Sequence, residues 1–301
     1  MISVVIPSNN CNSWLEEAID SVLNSKCNVA IEIFLILNNL SFEEDFKLQQ
    51  IEKKYGKMLR TVNLGNVSLV DALNFGVKNS KYDFIARLDS DDTMSEFRLQ
   101  KQYDFLVENN GVAAVGSAVN LIDEKSQIVG MRRYPLTNPE IKACFRFGNC
   151  LAHPTMMFRR DVFNFTGGYS NNFRFAEDFD FFVRISRNFQ IANLPELLTN
   201  YRVFDGQISA QFIGIQETNS LAIIKREFNY YSYKPKYKFI LESKILKSRF
   251  ARTRDLKFGG KKLVFWALIG LLLNFKATFQ YVRQALLNSR FGSIQMTKVS
   301  W

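Results

Sequence analysis

Phe84-Ile85-Ala86-Arg87-Leu88-Asp89-Ser90-Asp91-Asp92 passes from an apolar run into three carboxylates within four residues. Ile85 and Leu88 suit a buried strand, whereas Asp89, Ser90, Asp91 and Asp92 do not suit a strand interior. Uncompensated carboxylates this close repel one another and resist desolvation, so a cluster at the end of a strand points to a bound cation. Hard divalent ions take oxygen ligands, commonly one or two carboxylates plus substrate phosphates. For this stretch alone the alternative is a solvated turn leading into a helix, where Asp favours the cap and the positive dipole end.

Upstream of this stretch, strand and helix patterns alternate. Ile2 to Pro7 is a β-branched run stopped by proline. Ser13 is placed to cap the next helix, with Glu16 three residues on as in a capping box and Trp14, Ala18, Val22 and Leu23 at helical spacing. Strands are expected at Ile31 to Leu37, Leu59 to Val62 and Tyr82 to Leu88, with helices at Phe42 to Tyr55 and Ser68 to Val77. This alternation predicts an α/β fold with a mostly parallel sheet covered by helices, and ligands at the carboxyl ends of its strands. Three such ends are polar: Pro7-Ser8-Asn9-Asn10, Asn38-Asn39 and Asp89 to Asp92. The first two are equally explained as turn chemistry. No G-x-G-x-x-G follows the first strand and no P-loop is present, which disfavours ordinary dinucleotide and NTPase sites.

Beyond the cluster, Met94 to Val107 reads as a helix, and Val112 to Val119 and Val129 to Tyr134 as strands. Gly148 to Arg159 leads from a polar loop into a strand, followed by a Gly167-Gly168-Tyr169 turn. Ala176-Glu177-Asp178-Phe179-Asp180 opens an apolar helix, Leu197 to Phe204 is a last strand, and Gln207 to Phe228 a helix. In this helix start the acids are also the residues a dipole favours.

The ordered set resembles glycosyltransferase family 2, the inverting sugar transferases with the GT-A fold. Its carriers are Ala86-Arg87-Leu88-Asp89-Ser90-Asp91-Asp92, His153-Pro154-Thr155, Gly167-Gly168-Tyr169, Ala176-Glu177-Asp178-Phe179-Asp180 and Tyr201-Arg202-Val203, spread over about residues 1–210. The resemblance implies that Asp89 and Asp91 hold Mg²⁺ or Mn²⁺ against the diphosphate of a nucleotide-sugar, with UDP the favoured nucleotide. Pro7, Asn9, Asn38, Arg87, Asp89 and Ser90 would line the nucleotide site. Asp178 would be the catalytic base, with His153 and Glu177 on the acceptor side. Arg87 either contacts phosphate or neutralises the acidic cluster through an ion pair with Asp91 or Asp92.

Two positions depart from the family pattern. Acids usual at the end of the second strand are replaced by Asn38 and Asn39, whose amides can accept from uracil N3–H or donate to another base. A His common after Tyr-Arg-Val is replaced by Phe204, which cannot ligate a metal; Asp205, water or phosphate would take its place. A catalytically inactive nucleotide-sugar-binding relative is therefore the alternative. A nucleotidyltransferase is disfavoured by the missing Gly-rich basic loop after the first strand.

Charge divides the 301 residues. Residues 226–301 hold 16 Lys/Arg against 3 Asp/Glu, a net of +13, whereas residues 1–225 hold 23 against 26. The division predicts a catalytic domain over 1–225, with a nucleotide half at about 1–110 and an acceptor half at about 111–225, and a basic helical tail over 226–301. Leu263 to Leu273 is too short an apolar run to span a bilayer. Together with Phe275, Phe279, Val282, Leu286 and the flanking lysines it reads as an amphipathic membrane-surface element. Packing as a cap on the catalytic domain is the alternative, and no nucleic-acid recognition motif is present. Met1-Ile2-Ser3-Val4 enters a strand directly, so Cys11, Cys27, Cys144 and Cys150 read as reduced cytosolic thiols. The expectation is a cytoplasmic enzyme, peripheral on the inner face of the membrane, acting on a glycan or lipid-linked glycan.

Overall fold

A computed structural model describes residues 1–204, 206–207 and 211–227. Asp205 and the expected membrane-surface tail beyond Glu227 lie outside the described residues. Among those residues is one nine-stranded sheet in the order β3-β2-β1-β4-β8-β6-β9-β5, with β7 paired to β6.

The first four in-line strands are β1 (Ile2–Ser8), β2 (Ile31–Leu37), β3 (Leu59–Asn63) and β4 (Phe84–Arg87), and their pairings are all parallel. Helices α1 (Ser13–Leu23), α2 (Phe42–Tyr55) and α3 (Leu69–Asn79) connect them. This is the expected parallel run. Beyond β4 the sheet becomes mixed. The short strand β8 (Met157–Arg159) runs antiparallel to both β4 and β6 (Val112–Ile122), and β6 pairs in parallel with β9 (Gln190–Arg202). Strand β7 (Ile128–Arg132) closes a hairpin on β6.

The two faces of the sheet carry separate apolar clusters. Leu15, Ala18, Ile19 and Val22 of α1 pack on one face with Leu99 and Leu106 of α4 (Arg98–Glu108). Phe145 of α5 (Asn138–Phe145), Phe163 of α6 (Arg160–Thr166) and Phe179, Phe181 and Phe182 of α7 (Glu177–Asn188) fill the other. The latter cluster also takes Ile223 and Ile224 of α8 (Ile213–Glu227).

Three local expectations are corrected. The cap of α1 is Asn12, not Ser13: its backbone is extended and its side chain accepts from Leu15 N–H at 3.1 Å. The helix at Met94 starts only at Arg98. Thr93–Met94 forms β5 instead, because the free edge of β9 offers it a ladder at Asn200 and Thr199. His153-Pro154-Thr155 is a 3₁₀ turn ahead of β8 rather than a strand start.

Candidate active site

Parallel pairing brings the polar strand ends to one edge. Val5 pairs with Arg87 and Ser8 with Leu37, so the loops after β1, β2 and β4 leave the sheet side by side. Pro7 is buried in β1, Asn9 is exposed beyond it, and Ser90 is half-buried in the β4 loop. At the end of β2, Asn38 and Asn39 both donate from Nδ2 to the Val67 carbonyl, at 3.2 and 2.8 Å. A carbonyl only accepts, so it fixes which end of each amide faces it.

Asp89, Asp91 and Asp92 each offer a carboxylate oxygen, and these oxygens lie within 4.8 Å of one another. Burial, then the charge of Asp89, pushes the Asp91 carboxyl up to about 7. Asp92, fully buried, is raised for the same reasons and by Asp91 as well. One of its oxygens accepts from Arg202 N–H at 2.7 Å, while Oδ2 is buried without a hydrogen-bond partner. Convergent hard oxygens, mutual repulsion and an orphaned carboxylate oxygen are what a divalent cation relieves, so these residues fit one.

Two buried arginines frame the cluster. Arg87 forms an ion pair with Asp89, rather than with Asp91 or Asp92. Arg202, from the Tyr-Arg-Val strand, donates through Nε to the Asp91 carbonyl at 2.7 Å. It also donates through Nη1 to the Asp123 carbonyl and Ser126 Oγ, both at 3.0 Å, and through Nη2 to Glu17 at 2.7 Å. Its guanidinium lies 4.9 Å from the Trp14 ring centroid, and Trp14 in turn packs on Phe204 at 5.0 Å. Phe204 is thus an aromatic prop for Trp14, which lies against Arg202.

Phe175, at φ +65°, turns the chain into α7 and stacks on Phe212 at 4.3 Å. Glu177 and Asp178 follow in the first helical turn. Asp178 Oδ1 accepts from Phe179 N–H at 2.7 Å, and Oδ2 accepts from Asn149 Nδ2 at 2.8 Å. Burial, then Glu177, pushes its carboxyl up to about 7, opposed by the Phe179 N–H and by Arg87. Burial also raises Glu177. Asp180 has a different job: it is fully buried and bridges Arg184 at 2.8 Å and Arg226 at 2.6 Å, tying α7 to α8. His153 bonds the Tyr169 hydroxyl at 2.9 Å and packs on the Tyr169 and Phe182 rings. Burial holds its imidazole well below the usual range and hence neutral.

Arg87 is felt at Asp91, Asp178, Glu177, Tyr169 and His153, so the acidic loop and the head of α7 share one electrostatic neighbourhood. Sequence reasoning missed Asn149, Glu17 and the Arg202 N–H that anchors Asp92. The Tyr-Arg-Val motif already marked Arg202, although not its partners.

The profile described as Glycosyl transferase family 2 matches residues 3–166. An O-antigen biosynthesis glycosyltransferase of Escherichia coli, WbnJ, is 33% identical over 236 residues, covering 76% of this chain and 89% of the relative. An amylovoran biosynthesis glycosyltransferase of Erwinia amylovora, AmsE, is 29% identical over 192 residues, covering 62% and 70%. Among solved structures, the 1–349 fragment of S. aureus TarS in complex with UDP aligns with TM-score 0.59 at 16% identity, over 99% of this chain and 93% of that one. Against the longer TarS chain, the match spans about half its length, 53%. A mannosyltransferase of Pyrobaculum calidifontis bound to GDP-Man and Mn²⁺ aligns with TM-score 0.55 at 12% identity, over 96% and 85%. At these identities the structures show the GT-A fold, while the profile and the E. coli relative show the family: the chain is a glycosyltransferase and belongs to glycosyltransferase family 2.

Proposed function

We propose that the protein is an inverting transferase that moves a hexosyl or N-acetylhexosaminyl group from a UDP-sugar to a lipid-linked surface-polysaccharide acceptor. The observation that carries this is the juxtaposition, around Arg87, of a three-carboxylate loop with a single proton-accepting carboxylate, Asp178. In one displacement the acceptor hydroxyl oxygen bonds to the anomeric carbon as its bond to the diphosphate oxygen breaks. The diphosphate leaves with that electron pair, and the hydroxyl proton passes to Asp178. Asp89 and Asp91, with Asp92 behind them, would hold Mg²⁺ or Mn²⁺. Such an ion, when bound, neutralises charge developing on the departing diphosphate.

Asn38 supports uridine. With its amide nitrogen turned to Val67, the oxygen is the end left to meet a base, and an oxygen accepts from uracil N3–H. Pro7, Asn9, Arg87 and Ser90 line the same sheet edge, and His153 and Glu177 belong to the acceptor side with Tyr169.

The basic tail supports an acceptor presented at a membrane surface on the cytoplasmic side. Among the described residues no helix is long and apolar enough to cross a membrane. Truncation near Lys257 is expected to release the protein from membranes, and continued retention would count against this part of the reading.

The decisive experiment is calorimetric titration with UDP, GDP, CDP and dTDP, each with and without Mn²⁺. Metal-dependent binding of UDP alone is expected. Binding of no nucleotide would move the assignment to an inactive relative.

A further inference from the structure

Asn149 is outside the family motifs, yet among the described residues it makes the one side-chain hydrogen bond to Asp178: Nδ2 donates to Oδ2 at 2.8 Å. Its orientation is not free. Asn149 Oδ1 accepts from Leu151 N–H at 3.1 Å, so the amide nitrogen must face the carboxylate. The loop carrying it is anchored on both sides. Cys150 and Leu151 are buried in the apolar cluster under α7, and Phe147 N–H bonds the Cys144 carbonyl at 2.8 Å. Gly148, at φ +142°, allows the reversal that lifts Asn149 out of this packing toward the site. Asn149 itself is exposed.

We propose that Asn149 is the positioning residue of the base: it holds the Asp178 carboxylate in one orientation and supports its charge. Oδ1 is tied to the helix backbone and Oδ2 to Asn149, and each oxygen keeps a lone pair with which to accept from an acceptor hydroxyl. The inference rests on the reading of Asp178 as the base.

The charged and titratable groups facing Asp178 are Glu177 on its own helix, Arg87 from the end of β4 and the Tyr169 hydroxyl from the glycine turn. Glu177 opposes the carboxylate and Arg87 favours it. Without Asn149, the Phe179 and Asp178 backbone N–H groups and Arg87 are left to oppose burial and Glu177. A donor lost from a carboxylate raises its pKa by roughly one unit.

Two readouts test this on the full chain. The first is a ¹³C-carboxyl NMR titration of the metal-free protein, with the Asp178 resonance identified by its absence in Asp178→Asn. Asn149→Ala is expected to move the Asp178 midpoint upward by about one unit, and Asn149→Asp further, because it sets a second carboxylate beside the first. The second is the pH profile of UDP release from UDP-glucose, UDP-galactose, UDP-GlcNAc or UDP-GalNAc with Mn²⁺. Asn149→Ala is expected to lower kcat about fivefold at pH 7, to recover part of the loss at pH 8.5, and to leave KM within about twofold.

An unchanged Asp178 midpoint in Asn149→Ala overturns the proposal, and so does a rate loss that is flat in pH. If Asp178→Asn keeps the wild-type rate, the base assignment itself fails; if it is inactive while Asn149→Ala behaves as wild type, only the present inference fails.

Discussion

The acidic loop after β4 and the head of α7 each carry a carboxyl raised to about 7, Asp91 and Asp178, and the raised values have different remedies. Asp91 is crowded by Asp89 and Asp92, a repulsion that Arg87 and Arg202 offset only in part. The second region crowds Asp178 with Glu177 alone and supplies two N–H donors. As proposed above, a divalent ion would relieve the first arrangement and a proton the second. On the proposed reading, similar titration of two carboxyls conceals opposite chemistry, a ligand set and a base.

The largest effect that can break this contrast is on turnover. Asp178→Asn is expected to lower transfer by about 10³-fold, within the range of a lost general base, with Mn²⁺-dependent UDP affinity within about twofold of wild type. Loss of UDP binding in calorimetry would put Asp178 with the ligand set instead. Asp91→Asn is the converse: UDP affinity in Mn²⁺ should fall to its metal-free value, a loss of roughly 10²-fold, carrying transfer down with it.

A smaller effect separates the regions by pH. A carboxyl with a folded pKa above its unfolded value stabilises the fold fully below the unfolded pKa and loses that contribution as pH rises through the folded one. Both Asp91 and Asp178 are of this kind, so metal-free protein should melt several degrees lower at pH 8 than at pH 5.5. Saturating Mn²⁺ should restore more at pH 8, and Asp91→Asn should flatten the profile more than Asp178→Asn does under Mn²⁺. A Mn²⁺ effect equal at both pH values would count against a proton-competing carboxylate site.

The smallest effect concerns the prop. Phe204→Ala removes a ring packed on Trp14, a loss of about 1 kcal/mol of stability. Mn²⁺-dependent UDP affinity should change less than about threefold, since no ligand is lost. A tenfold drop would show that Phe204 shapes the acidic loop more tightly than its contact with Trp14 implies.

Much of the fold was legible because its signals are local. Continuous apolar runs and period-3.6 apolar patterns placed β1 to β4 and their helices to within a few residues. The misses have particular causes. Asn12 and Ser13 are both good caps, and only the helix phase that buries Leu15, Ala18, Ile19 and Val22 selects the former. Thr93–Met94 lies in a helix-compatible pattern, yet the open edge of β9 takes it as a strand. Helices α5 and α6 are 8 and 7 residues long, too short to assert a period. In the site, the acids announced themselves as charges that no core accepts. Their supporting groups did not, because an Asn in a loop or an Arg in a strand has many ordinary uses.

By itself the sequence determined that parallel strand ends carry polar clusters, that one of them is triply acidic, and that a Glu-Asp pair opens a late helix. These are properties of neighbours in the chain, and chain neighbours share one local geometry. Tertiary structure alone decided who supports whom. Asn149 meets Asp178 across 29 positions and Arg202 meets the Asp91 carbonyl across 111. A hydrogen bond needs its partners within a few tenths of an ångström. Over such separations only strand register and the packing of α7 against the sheet set that distance.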